Sequence, residues 1–258
     1  MPWRHELNYF NLRIFTLTQG NTSVDFPAGF GIPVFGAQGF LLNAQVLNHN
    51  NLPIDLKVKQ RVVIYYIPEH KLKRRMVPLE QRTIFAFKQY GGPAGLYGEA
   101  PTVDKYIIRQ QYEVTQPKCG VGELANGSRG KTFDLFHDPY GRLFTGHWKV
   151  QPGGEEFTID ISSLLQLEEG SRIHYINSHV HPFCEELSLI DKTANKELYK
   201  ASVYNKQSGI GIDSIDVFKS DRGMPIYPDH RYAIRSVYRN NSNDTLSAMS
   251  VMYLYLKL

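Results

Sequence analysis

Short runs of alternating apolar and polar residues, broken by turn-forming clusters, run along nearly the whole chain, and no long amphipathic helical period interrupts them. Side chains alternate between the two faces of a strand, so each run can bury one side and wet the other. Strands are expected at residues 12–17, 40–47 and 56–67, then at 157–161, 172–180, 186–190, 232–238 and 248–258. Turns are expected at Gly20-Asn21-Thr22, at Gly170, at 205–211 and at Asn240-Asn241-Ser242-Asn243. A chain of 258 residues patterned this way suits two modest β modules or one large one. The predicted class is all-β, a β-sandwich or jelly roll.

Residues 68–90 hold most of the basic cluster (Lys71, Lys73, Arg74 and Arg75) and read as a solvated loop. Residues 91–141 are rich in glycine and proline and read as a connection or insertion. The expected division is therefore an N-terminal β module over 1–90, a connection over 91–141 and a second module over 142–258. No repeat or low-complexity tract is evident.

The charge balance is mild, 29 basic against 25 acidic residues, so no nucleic-acid partner is expected without a motif. No stretch approaches the roughly 20 apolar residues of a membrane span. The start, Met1-Pro2-Trp3-Arg4-His5-Glu6, lacks the apolar core of a secretory signal. The expectation is either a protein retained inside the cell or missing upstream sequence. Cys119 and Cys184 are 65 positions apart, too few for a disulfide scaffold and too far apart for a close-spaced zinc pair. GxxxxGK, GxSxG and HExxH motifs are absent, and Gly29-Phe30-Gly31 lacks the third glycine of a dinucleotide loop.

The strongest chemical feature is Ser178-His179-Val180-His181-Pro182 inside an expected strand. Residues i and i+2 of a strand face the same side, so both imidazoles point together, a common start of a metal site. The alternative is a pair of core histidines held by hydrogen bonds. The last expected strand carries Met249, Val251, Tyr253 and Tyr255 on one face. A thioether is soft and suits copper, especially Cu(I), so two imidazoles with Met249 would favour copper over zinc. Met249 filling a core gap is the competing reading.

From Gly146 to Leu256 the chain resembles the C-terminal domain of the copper type II, ascorbate-dependent monooxygenases, the peptidylglycine α-hydroxylating and dopamine β-monooxygenase family. The resemblance is carried, in order, by Lys149-Val150-Gln151-Pro152-Gly153-Gly154, His179-Val180-His181, Asp229-His230-Arg231-Tyr232, and Met249 with Tyr253 four residues on. It implies two jelly-roll modules, the first possibly truncated, with copper held by His179, His181 and Met249 and Tyr253 orienting substrate. The activity it implies is O2-dependent hydroxylation of a substrate C–H bond, with electrons from ascorbate or another reductant. It also favours an extracytoplasmic location, periplasmic or secreted.

The N-terminal half is similar to the family more faintly, through residues 26–34 and the run 40–46. Where the family places a histidine ligand to a second, electron-transfer copper, this chain has Leu47, with His49 two residues on. A His-His pair is missing, and the expectation is that it was lost or lies upstream of Met1. The carboxylate-recognition positions of the peptide-amidating members read Asn177, Val251 and Tyr253. Without an arginine, bidentate carboxylate binding is not expected. The substrate, small molecule or peptide, stays open, as does the oligomeric state.

Other readings stand beside this one. His147 is a surface or core histidine, or an extra ligand. His230 begins a strand, hydrogen-bonded in a turn. Cys184 is a small buried hydrophobe or a redox-active thiol, and Glu185 and Glu186 are solvated. His179-Val180-His181-Pro182-Phe183-Cys184-Glu185 also fits the HxH-x3-E core of a cupin, which would need Glu185 and a later histidine such as His230 and would favour iron or manganese. A non-catalytic copper-binding or purely structural β-sandwich is the remaining alternative.

Overall fold

A computed structural model describes residues 14–37, 57–89, 135–137, 143–165 and 167–257, with a few positions between 39 and 46. The protein is all-β apart from short helical turns. In chain order the elements begin with β1 (Phe30–Gly31), a 3-10 turn (Glu69–Lys71), β2 (Val77–Phe85), β3 (Lys88–Gln89), β4 (Leu135–His137), β5 (Leu143–Thr145) and β6 (Trp148–Val150). Next come β7 (Gly153–Asp160), α1 (Ser162–Leu165), β8 (Ser171–Val180), β9 (Cys184–Asp191) and β10 (Lys196–Asn205). β11 (Ile212–Ile215), β12 (Phe218–Ile226), β13 (Tyr232–Asn240), β14 (Leu246–Ala248) and β15 (Ser250–Lys257) follow.

Two five-stranded sheets form a sandwich-like body. One runs β1-β2-β15-β8-β12 and the other β11-β10-β9-β13-β7, while β14-β6 and β3-β5-β4 make small separate sheets. The inner faces meet through Ile176 on β8, Met252 and Leu254 on β15, Leu187 on β9 and Ile234 on β13, all fully buried. Each such side chain contributes about 1.5–3 kcal/mol relative to exposure. At the centre of this apolar layer Ser236 Oγ lies 2.7 Å from Ser250 Oγ, so two buried hydroxyls satisfy each other across the sheets.

The other face of the first sheet is covered by the N-terminal segment. Phe26 sets its ring edge-on to Tyr175 and Tyr255, with centroids 5.5 and 4.9 Å away. Pairing of β12 with β8 ends at Ile176, which leaves the following β8 edge to this segment. There Thr18 Oγ1 and Asn21 Nδ2 donate to the Ser178 carbonyl, at 3.0 and 3.1 Å, and Asn177 Nδ2 donates to the Thr16 carbonyl.

Several sequence expectations need correction. Residues 57–67 form no strand, although they alternate, and Tyr65 is 93% exposed. A strand is stabilised by its cross-strand pairs, and β propensity without a neighbouring ladder does not make one. Residues 14–17 likewise form no strand; among the described residues the pairing nearby is the isolated Thr18–Asn21 bridge. The reverse holds for residues 68–90. Lys71, Lys73, Arg74 and Arg75 are exposed as expected, but Val77–Phe85 forms β2, deep in the first sheet. Pro78 disguised that strand in the sequence; it sits at its start, beside the two-residue β1, where a missing N–H is tolerated. β2 pairs with β15 over Phe85–Leu79, so a strand from the first 90 residues shares a sheet with strands from beyond residue 142. Apart from β4, the 91–141 connection lies outside the described residues, as do Leu47, His49 and Cys119.

Candidate metal centre

Three chain segments converge at one end of the first sheet. β8 delivers His179 and, just past its end, His181. In the β8–β15 ladder Val251 pairs with His179 and Ser250 with Val180, so the register continues to place Met249 opposite His181. The backbone confirms it, since His181 N–H donates to the Met249 carbonyl at 3.2 Å. Cross-strand partners share a face, so both imidazoles and the thioether belong to one side of the sheet. The third segment is the β5–β6 junction. β5 is tied to β3, and β6 pairs with β14 as Trp148 to Ala248, which carries His147 to the position opposite Met249.

The rings of His147 and His179 flank that of His181, with centroid separations of 5.4 and 5.6 Å. All three imidazoles are half-buried, while Met249 is only 5% exposed. The Met249 methyl lies 4.0 Å from where a Cβ on Gly146 would sit, next to the Phe85 and Phe87 rings.

His181 Nδ1 lies 3.1 Å from the Ser247 carbonyl oxygen. A carbonyl only accepts, so Nδ1 carries the hydrogen and, in the neutral ring, Nε2 holds the lone pair. A metal-binding histidine is typically oriented this way, its other nitrogen donating to a carbonyl or carboxylate. The donor types suit a soft or borderline ion: imidazole nitrogen with a tautomer suited to ligation, and a buried thioether on the same face of the sheet. Among the described residues no three of His, Cys, Asp and Glu gather as a metal site.

Sequence reasoning missed the residue that braces this arrangement. Tyr238 reaches from β13 across the core, and its hydroxyl donates to the Met249 carbonyl at 2.6 Å. The same oxygen accepts from the N–H groups of Met249 and His181, both at 3.3 Å. Burial pushes its phenol well above the ordinary range, so it remains a neutral donor. Its ring also meets Trp148, the neighbour of His147, edge-on at 5.9 Å. The sequence places Tyr238 inward on a strand but offers no sign that its tip lands on the Met249 backbone.

The turn after the two histidines is also fixed. Cys184 N–H donates to the His181 carbonyl, with Pro182 and Phe183 between them. Phe183 has a φ of 72°, the left-handed value that a type II turn demands at its third residue and that a bulky side chain adopts only when held. Asn205 holds it, accepting from Phe183 N–H at 2.8 Å and donating to the Cys184 carbonyl at 2.7 Å.

The remaining candidates fall elsewhere. Tyr253 is on the same face as Met249, paired across the ladder with Asn177, and is 3% exposed. Cys184 is fully buried, and burial pushes its thiol up to about 12, so the reactive-thiol reading gives way to a packed hydrophobe. Glu185 is exposed and paired with Arg239, whereas Glu186 is half-buried between Lys200 and Arg235 rather than solvated. Burial opposes ionisation of Glu186, but hydrogen bonds and the charges of those two cations outweigh it and hold the carboxyl low. His230 belongs to the opposite end of β9, its Nδ1 2.7 Å from Asp191 Oδ2. The cupin ligands Glu185 and His230 are thus not brought together with His179 and His181.

Among the described residues no helix is long and apolar enough to cross a membrane. No family model matches the chain, and neither curated proteins nor solved structures yielded a match.

Proposed function

We propose that the chain binds copper through His179, His181 and Met249 and acts as a monooxygenase of the copper type II kind, on a jelly-roll form of the sandwich. The observation that carries this reading is the β8–β15 register, which sets Met249 opposite His181 on the face that also holds His179. Bound there, copper would supply activation of O2 for hydroxylation of a substrate C–H bond, with electrons from ascorbate or another reductant. The protein's own residues would hold and orient. The Ser247 carbonyl fixes the His181 tautomer and Tyr238 fixes the Met249 backbone, while Tyr253, buried on the same face, would orient the substrate.

The test is copper titration of the wild type beside His179→Ala and Met249→Leu, followed by ascorbate and O2 consumption. The reading expects one tight copper that each substitution weakens by more than about tenfold, the loss that even an outer-shell change causes. It also expects copper-dependent ascorbate oxidation. Tight copper without turnover would leave a copper-binding protein and overturn the enzymatic part. Copper indifferent to both substitutions would overturn the whole.

A further inference from the structure

Independently of the copper reading, we propose that residues 57–67 are an association strand. They pair antiparallel with the same run of a second copy of this chain, about a two-fold axis at Val62. The run has the alternation and the β-branched and aromatic content of a strand, yet it joins no ladder and its backbone bonds to no described residue. Its side chains stand in water. Val58, Val63, Ile64, Tyr65, Tyr66 and Ile67 are 46 to 93% exposed. Large apolar side chains gathered in water mark a contact surface. An unpaired strand also offers its row of donors and acceptors to another chain.

The order of the charges selects the partner. Lys57, Lys59 and Arg61 hold the first half of one strand face, Val63, Tyr65 and Ile67 the second half, and the run contains no acidic residue. A two-fold axis through an antiparallel pair stands perpendicular to the ribbon, so each face meets its own copy and one residue faces itself. With Val62 at that point the whole run pairs, up to Pro68, which ends it. Lys57 then meets Ile67, Lys59 meets Tyr65 and Arg61 meets Val63. On the other face Val58 meets Tyr66 and Gln60 meets Ile64. No like charges are opposed, the basic stems lie along apolar side chains, and Lys59 faces an aromatic ring. At about 3.4 Å per residue Lys57 stands about 34 Å from its own copy, far beyond the screening length of about 8 Å. A parallel pair would set all three cations against their copies. An acidic partner strand would answer the basic half and leave the aromatic half in water. A lone two-stranded ribbon is marginally stable, so the dimer is expected to be reversible.

The test is sedimentation equilibrium of the full chain over a concentration series. The wild type is expected to pass from monomer to dimer. Val62→Lys puts like charges directly opposite each other and is expected to weaken the dimer about tenfold. An equimolar mixture of Val62→Lys and Val62→Glu is expected to recover it, which separates a broken contact from a misfolded variant. Crosslinking reads the register. In a Cys119→Ser background Val62→Cys is expected to form an interchain disulfide on mild oxidation, because facing Cα atoms lie about 4.5–5.5 Å apart. Lys59→Cys, about 20 Å from its copy, is expected to form none. A monomer at every concentration, whether the run stays in water or another part of the same chain covers it, would overturn the proposal. So would a dimer indifferent to Val62→Lys. A dimer that Val62→Lys breaks and the mixture fails to restore would overturn the two-fold register at Val62.

Discussion

The hydroxyl of Tyr238 lies 2.6 Å from the carbonyl oxygen of Met249, so a strand of one sheet holds the backbone of the proposed sulfur ligand on the other. The contact is buried and serves three backbone groups at once: the Met249 carbonyl, the Met249 N–H and the His181 N–H. Removing it therefore affects both the fold and the site.

Tyr238→Phe keeps the ring and deletes that hydroxyl. Leaving buried polar groups without a partner costs about 1–3 kcal/mol each, offset here because His181 N–H still reaches the Met249 carbonyl. The expected result in urea denaturation is a stability loss of about 1–3 kcal/mol with an unchanged slope. Copper affinity should fall along with it. A wild-type midpoint and affinity would show that the hydroxyl does not brace the site.

His174 predicts a pH dependence. Burial lowers its pKa, the hydrogen bond to the Ser220 carbonyl opposes that only in part, and Arg172 adds to the lowering. The folded state therefore prefers the neutral ring. Its contribution is complete above the ordinary histidine pKa of about 6.5 and is lost as pH falls below it toward the depressed folded value. Thermal melts at pH 7.5 and 5.5 should show the wild type losing more midpoint temperature than His174→Gln, which does not titrate. Equal losses in the two proteins would contradict the assignment.

Gly223 stands against that histidine with a φ of 67°. A Cβ there would lie 2.7 Å from His174 Cε1 and 3.0 Å from the Arg172 Cβ. Gly223→Ala should destabilise by more than about 1 kcal/mol, since left-handed backbone and a close contact act together. Chemical denaturation measures it, and a neutral substitution would show that the 220–223 bulge relaxes freely.

Cys184 should be inert in the native protein. It is fully buried and its thiol is pushed up to about 12, so the thiolate is scarce near neutral pH. A thiol reagent at pH 8, followed by mass spectrometry of the peptide containing Cys184, should label it only when denaturant is added. Rapid native labelling would return it to the list of reactive groups.

The second half of the fold was legible because its strands announce themselves. β8, β9, β13 and β15 are rich in β-branched, aromatic and other apolar residues between clear turns, β15 as a nearly continuous apolar run, and the placing of His179 and His181 on one face follows from strand geometry alone. β2 and β12 were not legible. β2 opens with Val77-Pro78, and β12 contains Gly223 and Pro225 and breaks register between Lys219 and Met224, which an edge strand tolerates. Residues 57–67 erred the other way, with a strand's alternation but no pairing neighbour among the described residues. At the candidate site, His179, His181 and Met249 could be singled out from residue type, but the contacts that brace their backbone could not. Tyr238, Asn205 and the Ser247 carbonyl act through contacts at long sequence separation that no local pattern encodes.

The most direct measurement is X-ray absorption of the Cu(I)-loaded full chain, wild type against Met249→Leu, a swap that a buried site tolerates at under about 1.5 kcal/mol. The account predicts one equivalent of copper with nitrogen and a single sulfur neighbour in the wild type, the sulfur vanishing in the variant. An identical coordination shell in both proteins, or no stoichiometric copper in the wild type, would contradict it.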